Sequence, residues 1–136
     1  NPNDGFVGSV SGSTSPGLGV YHGPIYKLAK QYADNVYDLT GSNFDTVVNK
    51  VEEGHPVWTI TTTAFAPVSD FESWDTPDGK IDVTYSEHSV CITGFDRDKR
   101  VIYVNDPYGY KNREVDWNDF AAAYKQMGKQ AVYVTK

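Results

Sequence analysis

The chain has few of the features that identify a class of protein directly. Its 136 residues include one cysteine, so no disulfide can form within the chain. No apolar run approaches the ~20 residues that span a bilayer, so we expect no transmembrane segment. The net charge is −6 and no basic stripe interrupts it, which argues against nucleic-acid binding. The chain starts at Asn1 without a methionine or signal peptide, as expected of part of a longer product or a trimmed form.

Metal-binding patterns are also missing. His22, His55 and His88 share no metal-ligand spacing, and no His-x-x-x-His or Cys-x-x-Cys motif occurs. Asp96 and Asp98 alternate as in some calcium loops, but the rest of such a loop is absent, so we interpret them as turn residues. We therefore predict no metal and no cofactor.

What is present is the composition of a globular domain. Hydrophobic residues make up 39% and charged residues 22%, and a chain of this length, residues 1–136, forms one domain with a moderate core. Ten tyrosines and three tryptophans supply aromatic area. Most of these rings belong in the core by default, although some could line a peptide groove.

Periodicity predicts three helices. The first begins at Pro24, a favoured first helical position, and the second follows an N-cap at Ser42 and ends at Gly54. The third spans about Trp117 to Gln126 and is ended by Gly128. Their apolar stripes are, in order, Ile25, Leu28, Ala29 and Tyr32; Phe44, Val47, Val48 and Val51; Trp117, Phe120, Ala121 and Tyr124.

Strands should follow the second helix and close the chain. Residues 56–63 are dense in β-branched side chains and predict a central strand. Residues 64–80 are interpreted as a polar connection with a turn at Thr76-Pro77-Asp78-Gly79. Further strands are predicted near 81–85, 88–95, 100–105 and 131–135. Helices followed mostly by hairpin-connected strands indicate an α+β fold with a largely antiparallel sheet.

One hairpin places two chemically useful residues together. If the turn consists of residues 96–98, His88 lies across from Asp106, and Ile92 lies across from Ile102. A four-residue turn would put His88 and Asp106 on opposite faces. The first register gives the more coherent apolar face and orients an imidazole beside a carboxylate, the pair that hydrolases use to activate a nucleophile.

The nucleophile is harder to find. Cys91 points away from His88 by strand alternation, which favours a buried structural thiol. No Gly-x-Ser-x-Gly motif offers a serine instead. Glu87 is also turned away from His88, and we interpret it as a solvated strand residue.

Seven short motifs nevertheless follow one another in a characteristic order. Together they resemble the C39-like peptidases, a papain-like group related to the bacteriocin-processing peptidases, over almost the whole chain. The motifs are Gly5-Phe6-Val7-Gly8, Gly19-Val20-Tyr21-His22-Gly23-Pro24-Ile25, Asp38-Leu39-Thr40-Gly41, Gly54-His55-Pro56-Val57, Glu87-His88-Ser89-Val90, Thr93-Gly94-Phe95-Asp96 and Val104-Asn105-Asp106-Pro107.

The resemblance implies a cysteine peptidase with catalytic His88 and Asp106. The family's cysteine and its preceding glutamine belong to a helix before the segment matched by Gly5-Phe6-Val7-Gly8. We therefore expect this chain to be a papain-like domain without its nucleophile helix, inactive alone and acting on a peptide or protein substrate in the complete protein. Two alternatives stay open: a non-catalytic binding module at the bacterial cell surface, and a cell-wall amidase or acyl transferase.

Three further expectations are less direct. Trp58 and Trp74 are candidates for substrate contact, Trp58 because its strand should lie beside the His88 strand and Trp74 because it sits in a polar segment. The resemblance implies a secreted or cell-surface bacterial protein. A domain without its first helix would expose an apolar face, so self-association through that face is also expected.

Overall fold

The computed structural model describes residues 3, 26, 35–77, 79–106 and 111–135. Within these residues the chain forms eight strands and two helices. The elements are β1 (Val36–Asp38), α1 (Phe44–Glu52), β2 (Val57–Thr62), β3 (Glu72–Thr76), β4 (Gly79–Val83), β5 (Glu87–Asp96), β6 (Val101–Asn105), β7 (Arg113–Asp116), α2 (Trp117–Gln126) and β8 (Ala131–Val134).

Six of the strands form one sheet in the order β1-β8-β2-β5-β6-β7, and β3 and β4 form a separate hairpin. Every strand pairing in the described part of the chain is antiparallel. This arrangement confirms the α+β fold with a largely antiparallel sheet.

The predicted central strand is β2, which lies between β8 and β5. Five of its six residues are buried, so both of its faces are covered. A strand in that position has to be rich in β-branched residues, because these fill a pleated surface with little loss of side-chain freedom.

The helix α1 follows the predicted stripe, with Phe44, Val47, Val48 and Val51 all buried. Its N-cap is Asn43, not Ser42 as predicted. The Asn43 side chain accepts a hydrogen bond from the Thr46 backbone N–H at 3.0 Å, as an N-cap residue does. Gly54 follows the helix with a φ of +94°, a conformation that glycine adopts without steric cost.

The helix α2 has the predicted bounds and begins after Asp116, whose carboxylate accepts from the Asp119 N–H at 2.9 Å. Ala123, rather than the predicted Ala121, is the buried alanine of its stripe. The core lies between the two helices and one face of the sheet. Its buried members include Phe44, Val47, Val48, Val57, Val90, Ile92, Ile102, Val104, Trp117, Phe120 and Tyr124.

Three segments differ from the predictions. The segment 64–80 contains a strand, β3, in addition to the predicted turn, across which Thr76 pairs with Gly79. The short strands β1 and β7 were not predicted. The helix expected from Pro24 falls outside the described residues, except for Tyr26, which is helical. No helix in the described ranges is long and apolar enough to cross a membrane.

Candidate active site

His88 lies at the start of β5 on the face that the helices cover. It pairs with Thr61 of β2, and the next two pairs on that face are Thr59 with Val90 and Val57 with Ile92. Successive residues of a strand alternate between faces, so His88 continues the buried row of Val90 and Ile92. The His88 side chain is 10% exposed.

The hairpin that brings Asp106 to His88 has a different register from the predicted one. Asp96 pairs with Val101, so the turn has four residues, 97–100, and Ile92 pairs with Val104 instead of Ile102. The direct pairing of His88 with Asp106 is therefore wrong. Continued from Cys91 and Asn105, the observed register brings Asp106 level with Val90, so Asp106 is a diagonal neighbour of His88.

A β-bulge explains why His88 and Asp106 still lie on the same face of the sheet although the predicted register is wrong. The register shifts between Ile92 and Gly94, leaving Thr93 as an extra residue in β5. Compared with the predicted turn, 96–98, the observed turn, 97–100, moves every pair by three positions, and the bulge moves the pairs beyond it back by one. The two displacements sum to an even number, so His88 and Asp106 remain on one face, as predicted.

The two side chains form a hydrogen bond between His88 Nε2 and Asp106 Oδ1 at 3.0 Å. Asp106 is almost completely buried, with a side chain that is 1% exposed. A buried carboxylate is costly unless it is paired, so this contact contributes strongly to the geometry of the pair. With the Nε2 proton shared with Asp106, the neutral ring carries its acceptor lone pair on Nδ1.

Two residues that the sequence did not indicate complete this group. Arg113 Nη1 lies 3.5 Å from Asp106 Oδ2, and the guanidinium carbon lies 4.9 Å from the centre of the Phe65 ring. The same ring meets the His88 imidazole nearly edge-on, with ring centres 6.0 Å apart. No short motif contains Phe65 or Arg113 beside His88, because only the pairing of distant strands brings them together.

Cys91 does not belong to this group. It pairs with Trp58 on the opposite face of the sheet from His88, as predicted from alternation. Its thiol is free and only partly buried, and this burial raises its pKa. A raised pKa lowers the fraction of reactive thiolate at neutral pH.

Neither tryptophan is brought to the His88 face by the pairings around it. Trp58 is in the strand beside β5, as predicted, and its side chain packs with Ile60, Met127 and Phe71 on the other face. Trp58 also lines a pocket with Cys91 and Asp106, and substrate contact by Trp58 stays a prediction. Trp74 lies in β3 and is partly exposed. Its ring centre is 6.3 Å from that of Tyr85, and its Nε1 donates to Glu72 at 3.3 Å. Substrate contact by Trp74 stays a prediction.

The interpretation of Glu87 as a solvated residue is wrong. Its Oε2 is buried and has no hydrogen-bond partner among the described residues. This burial raises the pKa of Glu87 from 4.5 to about 8, because removal from water disfavours the charged form. Glu87 pairs with Thr62 and therefore lies on the face opposite His88.

Two hydroxyls beside the histidine are also unsatisfied. Thr59 and Thr61 are fully buried on the His88 face, and neither Oγ1 has a hydrogen-bond partner in the described ranges. In the same ranges, no three histidine, cysteine, aspartate or glutamate side chains converge as they would around a metal ion. The chemistry that this geometry offers is proton transfer through an oriented imidazole.

The sequence and the fold of the chain match a known family. The model of the Peptidase_C39 like family matches residues 1–132, and the chain belongs to that family. A protein of Bacillus anthracis, assigned as a C39-like peptidase, has a crystal structure that matches with a TM-score of 0.92 and 39% identity, over 100% of this chain and 69% of that chain.

A curated relative gives less functional information. The chain is 56% identical over 137 residues to the uncharacterized protein YvpB of Bacillus subtilis strain 168. That match covers 100% of this chain and 53% of the relative, so the chain spans about half the length of YvpB.

Proposed function

We propose that the full-length protein is a cysteine peptidase in which His88 and Asp106 activate a cysteine that lies upstream of Asn1. The observation that carries this proposal is the 3.0 Å hydrogen bond between His88 Nε2 and the buried Asp106 carboxylate. Membership in the C39-like family supports the reaction class.

In the proposed reaction, His88 Nδ1 takes the proton of the cysteine thiol. The thiolate attacks the carbonyl carbon of a peptide bond, and the imidazolium then gives its proton to the leaving amine. Water hydrolyses the resulting thioester, with His88 again as base, which restores the thiol and releases the acid. Asp106 accepts a hydrogen bond from the His88 Nε2–H throughout, so it fixes the tautomer and stabilises the imidazolium.

We assign the nucleophile to another cysteine because Cys91 is unsuitable for two reasons. Cys91 lies on the opposite face of the sheet from His88, so the imidazole cannot reach its proton. The raised pKa of its thiol also opposes the thiolate form.

Thiol alkylation in the full-length protein tests this assignment directly. The protein is treated with iodoacetamide at about pH 6, where ordinary thiols react slowly, and the labelled cysteines are mapped by mass spectrometry. We expect fast labelling of a cysteine upstream of Asn1 that slows at least ~10-fold in His88→Ala. An ion pair with His88 is the physical reason, since it lowers the pKa of a nucleophilic thiol.

His55→Ala is the matched control, because His55 stacks against Tyr133, with ring centres 5.6 Å apart, and precedes Val57 at the start of β2, whereas His88 pairs with Thr61 near its end. A circular-dichroism melt shows whether each variant is folded, and His88→Gln replaces His88→Ala if the latter unfolds. Labelling that ignores His88, or that occurs only at Cys91, would contradict the proposal and favour a binding module.

A further inference from the structure

Asp106 is held from two sides. Its Oδ1 contacts His88 Nε2 at 3.0 Å, and its Oδ2 lies 3.5 Å from Arg113 Nη1. The Asp106 side chain is 1% exposed and the Arg113 side chain 44% exposed, so the cation reaches a buried anion from the solvent side. Burial of a carboxylate is tolerated when a charge and hydrogen bonds compensate it.

The sheet itself fixes the approach of Arg113. Arg113 pairs with Val104 across β6 and β7, and its neighbour on the same face, Val115, pairs with Ile102 and is buried. Asp106 lies two residues beyond Val104, hence also on this face. Arg113 is therefore directed towards Asp106 by the strand register, and not by a loop conformation.

The Phe65 ring supports the guanidinium on its other side. The Arg113 guanidinium carbon is 4.9 Å from the centre of the Phe65 ring. The centres of the Phe65 and His88 rings are 6.0 Å apart. Phe65 therefore lies beside both residues that contact Asp106. Phe65 has a φ of +54°, which is costly for a bulky side chain. Thr62 stabilises this turn, since its Oγ1 donates to the Ala66 carbonyl at 2.6 Å.

We propose that Arg113 is a positioning residue for the His88–Asp106 pair and that Phe65 is its platform. The guanidinium occupies Oδ2, so that Oδ1 remains the acceptor of the hydrogen bond from His88 Nε2–H. This inference rests on the proposed function, because the pair that Arg113 positions is the one assigned to catalysis.

The test combines imidazole spectroscopy with thiol labelling in the full-length protein. Long-range ¹H–¹⁵N spectra of ¹⁵N-histidine-labelled protein report the tautomer of His88 and the exchange rate of its Nε2 proton. In Arg113→Met we expect that proton to exchange roughly 10-fold faster or more, because its acceptor loses a charged partner. Labelling of the upstream cysteine should slow by a similar factor, and Arg113→Lys should recover part of both.

Arg100→Met is the matched control. Arg100 also stacks on an aromatic ring, with its guanidinium carbon 4.5 Å from the Trp117 ring centre, and it donates to Asn118 at 2.8 Å. This variant should leave both readouts unchanged. Phe65→Leu keeps an apolar side chain but removes the aromatic face, and it should give a smaller change in the same direction as Arg113→Met.

The outcomes separate the two proposals. An Nε2 proton that is absent or rapidly exchanging in the wild-type protein would contradict the catalytic pair itself. A protected proton that is unaffected by Arg113→Met, in a protein that melts normally, would overturn the role of Arg113 and leave the proposed peptidase standing.

Discussion

Glu87 and His88 are neighbours in β5 with side chains on opposite faces of the sheet, and each face treats a buried ionisable group differently. His88 meets Asp106 at 3.0 Å, and Arg113 approaches the second oxygen of Asp106. Glu87 buries Oε2 without a hydrogen-bond partner among the described residues, and its pKa rises to about 8. On the His88 face, the buried Asp106 carboxylate has His88 and Arg113 as partners. On the opposite face, burial of Glu87 favours its protonated, neutral form.

Burial of a carboxyl group does not by itself identify a functional site. Desolvation perturbs Glu87 strongly, yet its Oε2 has no hydrogen-bond partner among the described residues that could orient it. Asp106 is buried in a geometry that orients another residue, which is the property that catalysis requires. A raised pKa is a useful indication of function only together with such a geometry.

We expect the largest difference in thiol activation between two carboxyl-to-amide substitutions, one on each face of the sheet. In Asp106→Asn the amide can donate to Nε2 and favour the wrong tautomer of His88, so we expect thiol activation to fall by ~10²–10⁴-fold. Glu87→Gln should change it no more than about two-fold, since Glu87 faces away from the pair. Iodoacetamide labelling rates of the upstream cysteine measure both, and equal losses would remove the distinction between the faces.

The next effect is the pH dependence of stability caused by Glu87. Its folded-state pKa of about 8 lies above the ordinary 4.5, so the folded protein binds the proton more tightly than the unfolded chain does. The resulting stabilisation is complete below pH 4.5, declines by up to about 1.4 kcal/mol per pH unit from there to about pH 8, and is then lost.

Glu87→Gln should remove this decline in stability, because the amide does not ionise in this pH range. Urea unfolding at about pH 5, 6.5 and 8 compares the two proteins. The variant should gain on the wild type as the pH rises, by an amount on the order of a few kcal/mol at pH 8. Stability curves that stay parallel from pH 5 to pH 8 would show that Glu87 is ionised or solvated.

The smallest effect concerns the unsatisfied threonines on the His88 face. Thr61→Val keeps the shape of the side chain and removes a buried hydroxyl that has no hydrogen-bond partner within the described residues, so the free energy of unfolding should rise by about 1 kcal/mol. Thr59→Val, one pair further into the core beside Val90, is the control and should gain as much. Loss of stability in Thr61→Val alone would reveal that its hydroxyl is bonded in the full-length protein.

Elements with strong local signals could be predicted from the sequence. The helix α2 has the predicted bounds because its apolar stripe, its capping Asp116 and Gly128 all agree. The helix α1 was predicted with the wrong cap, since Ser42 and Asn43 are both good N-cap residues and only the backbone decides between them. The strand β3 was missed because its residues are mostly polar and exposed, which gives no alternation.

The site itself was predictable only in part. His88 and Asp106 could be placed on one face because strand alternation is a local property. Their register could not, since the extra residue Thr93 is a feature of the pairing and has no distinct local signal. Arg113 and Phe65 could not be predicted as part of the site because they are far from His88 in the sequence. Phe65 follows β2 and Arg113 begins β7, and only the fold brings both residues to His88 in β5.

The turn at 97–100 and the bulge at Thr93 have a consequence for how this hairpin can evolve. Each of these two features alone would shift the pairing by an odd number of residues and so turn one strand over relative to the other. Only together do they keep His88 and Asp106 on one face. Deletion of one turn residue would therefore separate the pair unless the bulge disappeared as well. A change in the length of the turn should therefore be accompanied by gain or loss of the bulge. Relatives with a three-residue turn should have a β5 strand without a bulge.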